Sequence, residues 1–157
     1  MERVKRLLLV QFRTDERGIE LERMAFKEKF ASSDGSKLEI IPINAFDAEN
    51  EAAFAHPAAL LVDVQGVILG GSAEFYFGGN VSKKNDQQQQ AMLSRIEPFI
   101  LYLFEHDIPT LGICFGHQLL VTFLGEKVAA DLRQSETGSF PVRMTSEGRH
   151  DPLFLGM

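Results

Sequence analysis

The chain has 157 residues, a length that allows one domain, or one domain with a small second one. Apolar residues make up 45% of it and charged residues 24%, and this balance excludes a disordered chain. The formal net charge of −6 argues against binding to the phosphates of a nucleic acid, and no apolar run of about 18 residues is present that could span a membrane.

Strand-like and helix-like segments alternate along the first half of the chain. The short apolar run Leu7–Phe12 predicts a strand that is buried on both faces. Thr14 is a candidate cap for a following helix, whose apolar residues recur at helical spacing between 19 and 30. A second strand is predicted at 38–43 and a short helix around 49–54.

The next segments lead from a strand into a long stretch without periodicity. Residues 67–69 predict a third buried strand, which Gly70-Gly71 ends. Residues 72–85 show no apolar repeat, and unstructured segments of that length are unusual unless they are functional or mobile. We expect this segment to be flexible; the alternative is that its aromatic residues 75–77 form a lid over Cys114.

The second half begins with a helix whose apolar residues lie on one face between 92 and 103. Pro98 within it predicts a kink or a break. The remaining predicted elements are a strand at 110–113, a helix at 115–124 closed by Gly125, and strands at 127–130 and 140–144.

This order of elements predicts an α/β fold: a three-layer, flavodoxin-like sandwich with a mostly parallel central sheet. In such sheets ligands bind beyond the carboxyl ends of the strands. Gly70-Gly71 and Cys114 each follow a predicted strand, so we expect them to lie at the same site.

Cys114 is the single cysteine, so it cannot form an internal disulfide, and the composition fits a reducing compartment. The apolar run at 7–12 is too short for a secretory signal. We therefore expect a cytoplasmic protein, in which a lone cysteine is worth considering as a nucleophile.

The residues around Cys114 have the G-x-C-x-G spacing of a nucleophile elbow between a strand and a helix. Gly112 and Gly116 suit a tight turn in which a Cβ at either position would clash with its neighbours. The helix from Phe115 directs its free N–H groups at the sulfur and favours the reactive thiolate. The alternative is a structural cysteine in a simple glycine turn.

Residues 109–120 resemble the nucleophile motif of class I glutamine amidotransferases, and residues 66–72 resemble the oxyanion loop of that family. Residues 135–142 and 151–154 are similar to stand-alone members related to the amidotransferase domain of GMP synthase. The resemblance implies hydrolysis of the glutamine side-chain amide to glutamate and ammonia, with a synthetase as a candidate partner.

The resemblance also implies a role for individual residues. Cys114 would attack the amide, and the backbone N–H groups of Gly71 and Phe115 would stabilise the oxyanion. The implied contacts to the substrate are Gly70, Gln118 and the backbone around Ser135 and Glu136. Spacings such as C-x-x-C or H-E-x-x-H are absent, so neither a metal nor another cofactor is expected.

The sequence departs from the family in two places. Ser72 stands where many members have proline, and no His-x-Glu pair follows Cys114 to complete a triad. We therefore expect residues 1–157 to form a single incomplete domain with little glutaminase activity. The strands that would follow are missing as well, and the uncovered sheet edge favours a homodimer.

Other functions also fit these residues. A hydrolase of γ-glutamyl compounds would share the Cys114 chemistry and differ in the shape of its pocket. A stress or repair protein with the same cysteine elbow ranks lower, because that class lacks glutamine at the position of Gln118. The last alternative is a non-catalytic binding or assembly module.

Overall fold

A computed structural model describes residues 4–29, 38–78, 83–131, 133, 139 and 141–154. Its strands are β1 (Lys5–Gln11), β2 (Leu38–Asn44), β3 (Gly66–Leu69) and β4 (Thr110–Gly112). Its α-helices are α1 (Glu16–Lys29), α2 (Glu51–Ala55), α3 (Pro57–Leu60), α4 (Lys83–Glu105) and α5 (Phe115–Phe123). Short 3-10 turns occupy Ala48–Asn50, Gly148–His150 and Pro152–Phe154.

The four strands form one parallel sheet in the order β2-β1-β3-β4. In the register, Leu9 of β1 lies between Pro42 of β2 and Ile68 of β3, and Ile68 pairs in turn with Leu111 of β4. All carboxyl ends therefore lie at one edge, and the segments after β1, β3 and β4 meet there. The predicted α/β class with a parallel sheet is confirmed.

Helices cover both faces of the sheet because the side chains of β1 alternate between them. Leu8 and Val10 belong to the main core, together with residues of α4 and α5 such as Phe99 and Leu119. On the opposite face the side chain of Gln11 donates to the Ile19 carbonyl of α1 at 2.9 Å. This arrangement has the three layers that the element order predicts.

The N-terminal cap of α1 differs from the prediction. The Asp15 carboxylate, not the Thr14 hydroxyl, accepts a hydrogen bond from the first turn, with its Oδ1 2.6 Å from the Gly18 nitrogen. Thr14 instead bonds to Glu74, which accepts from its backbone N–H at 2.8 Å and from its hydroxyl. Thr14 is therefore engaged in a tertiary contact with Glu74 and does not cap the helix as the local pattern predicts.

Helix α4 runs through Pro98 as a single element of 23 residues, so the predicted break is absent. Pro98 is exposed, whereas Ile96, Phe99 and Ile100 around it are fully buried. Their packing offsets the backbone hydrogen bond that proline removes. Neither α4 nor any other helix in the described ranges is long and apolar enough to cross a membrane.

The two late strands that were predicted do not form in the described part of the chain. With the other described residues, 127–130 make one backbone bond, from Ala130 N to Gly78 O at 3.2 Å, and no ladder. Of the strand predicted at 140–144, residue 140 lies outside the described residues; 141–144 are irregular, and Val142 is 94% exposed. A short extended segment becomes a strand only with a paired neighbour and a buried face, and neither segment has both.

Candidate active site

Cys114 lies in the tight turn that joins β4 to α5. Its φ of 52° and ψ of −106° are unfavourable for a residue with a Cβ, and such strain persists only where the surrounding structure imposes it. The side chain is exposed, whereas Phe115 and Gly116 directly after it are buried. The strand–turn–helix that the sequence predicts is present, with the thiol at the surface and at the N-terminus of a helix.

The two glycines that flank Cys114 explain how the turn fits between its neighbours. A Cβ on Gly112 would lie 2.8 Å from the backbone of Gly116, and a Cβ on Gly116 would overlap the backbone of Leu69 in β3. The Gly116 N–H donates to the Gly70 carbonyl at 3.0 Å. The start of α5 therefore packs directly on the end of β3.

Gly70 and Gly71 lie beside the cysteine, as predicted from their position after β3. A Cβ built on Gly71 would be 3.5 Å from the Cβ of Cys114. Gly70 donates to the Val10 carbonyl at 2.9 Å, which ties this loop to the end of β1. The structure thus brings Gly70, Gly71, Cys114 and Phe115 together at the carboxyl edge of the sheet.

The backbone N–H of Gly71, one of the two predicted oxyanion donors, already has an acceptor. It donates to Oε1 of Glu22 in α1 at 3.2 Å. The other carboxylate oxygen of Glu22 accepts from Gln11 Nε2 at 3.0 Å, and Arg13 Nε lies 3.5 Å from Oε1. A buried carboxylate with a neighbouring cation therefore lies directly against the Gly-Gly loop.

Gln11, Arg13 and Glu22 were not predicted from the sequence, although it carries a signal for Gln11 and another for Glu22. Gln11 interrupts an otherwise apolar buried strand. Glu22 falls three residues after Ile19 and four before Phe26, on the helix face predicted to be buried. Because buried polar groups are almost always hydrogen-bonded, a polar residue on each of two facing elements indicates that the two meet.

Gln118, a predicted substrate contact, lies in the first turns of α5 and is half-buried. Its Oε1 accepts from the backbone N–H of Phe77 at 3.0 Å, and the Phe77 ring stacks on Phe115 at 5.3 Å. The side chain thus fastens the segment after β3 to the helix that carries Cys114. Ser135 and Glu136, the other predicted contacts, lie outside the described residues.

The aromatic segment after β3 is packed rather than flexible where the structure describes it, at 72–78. Phe75 is 2% exposed and stacks on Phe46 with ring centroids 4.3 Å apart, whereas Tyr76 is exposed. This packing argues against a flexible segment at 72–78, whereas the alternative of a lid over Cys114 stays a prediction. Residues 79–82 lie outside the described residues, and α4 begins at Lys83, so the segment is shorter than predicted.

The four histidines all lie in the described ranges, and no hydrogen bond joins any of them to Cys114. His106 stacks on Tyr102 at 3.8 Å and points its Nδ1 to the Tyr102 carbonyl. His150 has its Nδ1 2.7 Å from the Ser146 carbonyl in a C-terminal 3-10 turn. Both contacts are to carbonyl groups four residues earlier in the chain, and neither ring is hydrogen-bonded to the thiol.

The sequence model of the family described as "Glutamine amidotransferase class-I" matches residues 32–156, which is most of the chain. The chain belongs to the class-I glutamine amidotransferase family. The family membership predicted from the cysteine motif and the Gly-Gly loop is thereby confirmed, together with the parallel α/β fold.

Individual members of the family are similar to shorter stretches of this amidotransferase chain. GMP synthase [glutamine-hydrolyzing] of Bacillus subtilis is 49% identical over 49 residues, which are 31% of this chain and 9% of that protein. The Caldicellulosiruptor saccharolyticus protein of the same name is 40% identical over 55 residues, 35% of this chain and 10% of that protein. One subunit of the GMP synthase [glutamine-hydrolyzing] of Archaeoglobus fulgidus is 33% identical over 72 residues, 46% of this chain and 30% of that relative. The matches thus span less than a third of the length of each of these relatives.

Proposed function

We propose that this class-I amidotransferase chain hydrolyses the side-chain amide of glutamine with Cys114 as the nucleophile. The observation that carries the proposal is the exposed thiol in a strained turn at the N-terminus of α5, beside Gly71. The thiolate is the reactive form of cysteine. The strained turn keeps this sulfur out of the helix and open to a substrate.

The reaction forms a thioester and then hydrolyses it. The Cys114 thiolate attacks the amide carbon, a C–S bond forms, and the carbonyl electron pair moves to oxygen. The N–H groups of Phe115 and Gly71 are the candidate donors to that oxyanion. Collapse of the tetrahedral adduct breaks the C–N bond, and the nitrogen takes a proton to leave as ammonia. Water then attacks the thioester, which releases glutamate and the thiol.

Gln118 supports glutamine as the substrate. Because its Oε1 accepts from Phe77, its Nε2 is the end of the amide left to donate to a ligand. Glutamine offers carboxylate and carbonyl oxygens as acceptors for that donor. We assign the backbone around Ser135 and Glu136 to the α-amino and carboxylate groups of glutamine, by their resemblance to the family.

Proton transfer limits the rate that we propose for this chain. None of the four histidines in the described residues is hydrogen-bonded to the Cys114 thiol. Ammonia is a poor leaving group without a proton donor. General acid–base catalysis contributes about 10²–10⁴-fold, so we expect turnover to be slower by that factor than with a positioned base.

Ammonia release from glutamine by the purified 157-residue chain tests the proposal, with Cys114→Ala as the control. Slow release that the substitution abolishes is the expected result. If no ammonia appears and glutamine does not protect Cys114 from alkylation, the proposal is wrong. Release at an ordinary enzymatic rate that is lost in Cys114→Ala would show that a base within these 157 residues acts on Cys114, and His150 would be the first residue to replace.

We further propose that the ammonia is used by a synthetase and that the chain forms a homodimer. The name of the Archaeoglobus relative, which is one subunit of a GMP synthase, supports an arrangement in which the amidotransferase is a separate chain. Among the described strands β4 is at an end of the sheet, and such an edge can pair with a second copy. Sedimentation equilibrium of the purified chain distinguishes monomer from dimer.

A further inference from the structure

The carboxylate of Glu22 accepts a hydrogen bond from the Gly71 N–H, which the proposed reaction needs as an oxyanion donor. The Gly71 nitrogen lies 3.2 Å from Glu22 Oε1, and its hydrogen is directed at that oxygen. Glu22 is the single residue of α1 that is buried, with 8% of its surface exposed. An acidic side chain on the core-facing side of a helix requires partners, and here one partner is the Gly-Gly loop.

Several contacts fix this carboxylate in place. Gln11 Nε2 donates to its second oxygen at 3.0 Å, and Arg23 Nε in turn donates to Gln11 Oε1 at 2.9 Å. Arg13 Nε lies 3.5 Å from Oε1 and supplies a positive charge. Gly70 provides the space, because a Cβ at that position would be 2.8 Å from the same oxygen. The carboxylate is therefore held by α1, β1 and the loop after β3 together.

An oxyanion on a Cys114 adduct would compete with Glu22 for the Gly71 N–H. Hydrogen bonds to a charged acceptor are roughly twice as strong as those between neutral groups, so the existing bond is not given up easily. Two negative oxygens at one donor also repel each other, and the repulsion is stronger away from bulk water. While Glu22 accepts from Gly71, this donor cannot fully stabilise the oxyanion.

We propose that Glu22 is a positioning residue that keeps the oxyanion site closed, and that the Gly71 peptide turns away from it when a Cys114 adduct forms. A glycine at position 71 permits this turn, because it has no Cβ to restrict the backbone. Arg13 and Gln11 remain as partners of the carboxylate, so no buried charge is left unpaired. The inference rests on the proposed function, in which Cys114 forms a tetrahedral adduct.

Two small reagents separate this role from the general reactivity of the thiol. p-Nitrophenyl acetate acylates a thiolate through a tetrahedral oxyanion and releases nitrophenolate, which needs no proton to leave. Iodoacetamide alkylates the same thiolate by direct displacement of iodide, with no oxyanion. Cys114 is the only cysteine, so the labelling seen by intact mass in excess of that in Cys114→Ala gives both rates for this residue, and their ratio reports the oxyanion site.

The ratio of acylation to alkylation is compared for the wild-type chain, Glu22→Ala and Glu22→Gln. We expect it to rise about tenfold in Glu22→Ala, the effect of losing one hydrogen bond to a charged group. Glu22→Gln should give a smaller rise, because a neutral amide oxygen binds the N–H less strongly. Glu20→Gln, at an exposed acidic position of the same helix, should leave the ratio unchanged.

An unchanged or lower ratio in a folded Glu22→Ala chain overturns the proposal, since Glu22 would then be neutral or would help to build the site. Far-UV circular dichroism shows whether the variant folds. If Glu22→Ala does not fold, the ratio is measured in the nearly isosteric Glu22→Gln, and an unchanged or lower ratio there overturns the proposal. Failure of the proposed function looks different: neither reagent contains a glutamine group, so the ratio is measured even if glutamine neither reacts nor protects Cys114.

Discussion

Gly116 at the start of α5 lies directly against the carbonyl group of Leu69 at the end of β3. A Cβ on Gly116 would overlap that carbonyl. The Leu69 oxygen accepts from the Ile113 N–H at 2.9 Å, and the Gly116 N–H donates to Gly70 at 3.0 Å. Neither side can move without breaking one of these bonds, so this contact determines how closely the cysteine turn approaches the Gly-Gly loop.

Gly116→Ala is therefore expected to destabilise the fold. Overpacking typically costs about 1–3 kcal/mol, and the rigid backbone on the other side places this substitution at the upper end. For a chain of this size the midpoint of thermal unfolding should fall by about 6–12 °C. Gly148→Ala is the matched control, because its Cβ would meet only ordinary contacts at 3.5 Å. Equal melting of Gly116→Ala and wild type would contradict the close packing.

The strained backbone of Cys114 predicts an unusual order of stabilities at that position. Glycine adopts a positive φ without penalty, whereas a residue with a Cβ is destabilised by about 1–3 kcal/mol in sparsely populated regions. Cys114→Gly should therefore unfold at a higher temperature than Cys114→Ala, although glycine raises the entropy of the unfolded chain. Thermal unfolding by circular dichroism compares the two. A less stable glycine variant would mean that the turn is not strained.

Phe75 and Tyr76 are adjacent but should respond differently to truncation. Phe75 is buried against Phe46, and removal of a buried phenylalanine costs about 3–5 kcal/mol. Tyr76 is 40% exposed, so Tyr76→Ala should cost clearly less. Urea unfolding of the two variants measures the difference in free energy of unfolding. Similar small losses in both would instead favour the flexible segment that the sequence predicts.

Gln118→Ala should weaken glutamine binding. The substitution removes the proposed donor to the ligand and leaves the Phe77 N–H without its acceptor. Loss of one such interaction corresponds to about tenfold in affinity. The concentration of glutamine that half-protects Cys114 from iodoacetamide measures it, and Gln88→Ala on the exposed side of α4 is the control. If glutamine protects Cys114 equally well in Gln118→Ala, Gln118 does not contact the bound glutamine.

Much of the fold was predictable because it depends on local pattern. Four apolar segments predict four strands, and each forms within about two residues of the predicted bounds, since strands buried on both faces consist of nearly continuous apolar runs. The cysteine turn was predictable for a related reason: Gly112 and Gly116 at this spacing suit a tight turn between a strand and a helix. Gly125 likewise ends α5 with a φ of 86°, as expected for a helix C-terminus.

Other features depend on residues that are distant in sequence. Thr14 can cap a helix in isolation, but it contacts Glu74 and leaves the cap to Asp15. Residues 127–130 can form a strand only if a neighbour pairs with them, and Pro98 is tolerated in α4 because buried side chains on either side hold the helix. No local pattern contains these partners, so single-sequence reasoning could not predict them.

By itself the sequence indicated the order of the four strands and the glycine turn around Cys114, because these follow from the spacing of nearby residues, and its motifs resemble those of the family. Only the tertiary structure showed that the Gly71 N–H donates to Glu22 and that the Phe77 N–H donates to Gln118. Both bonds join residues more than forty positions apart. Hydrogen-bond partners at that separation depend on how the sheet and its helices pack, and the packing exists only in the folded chain.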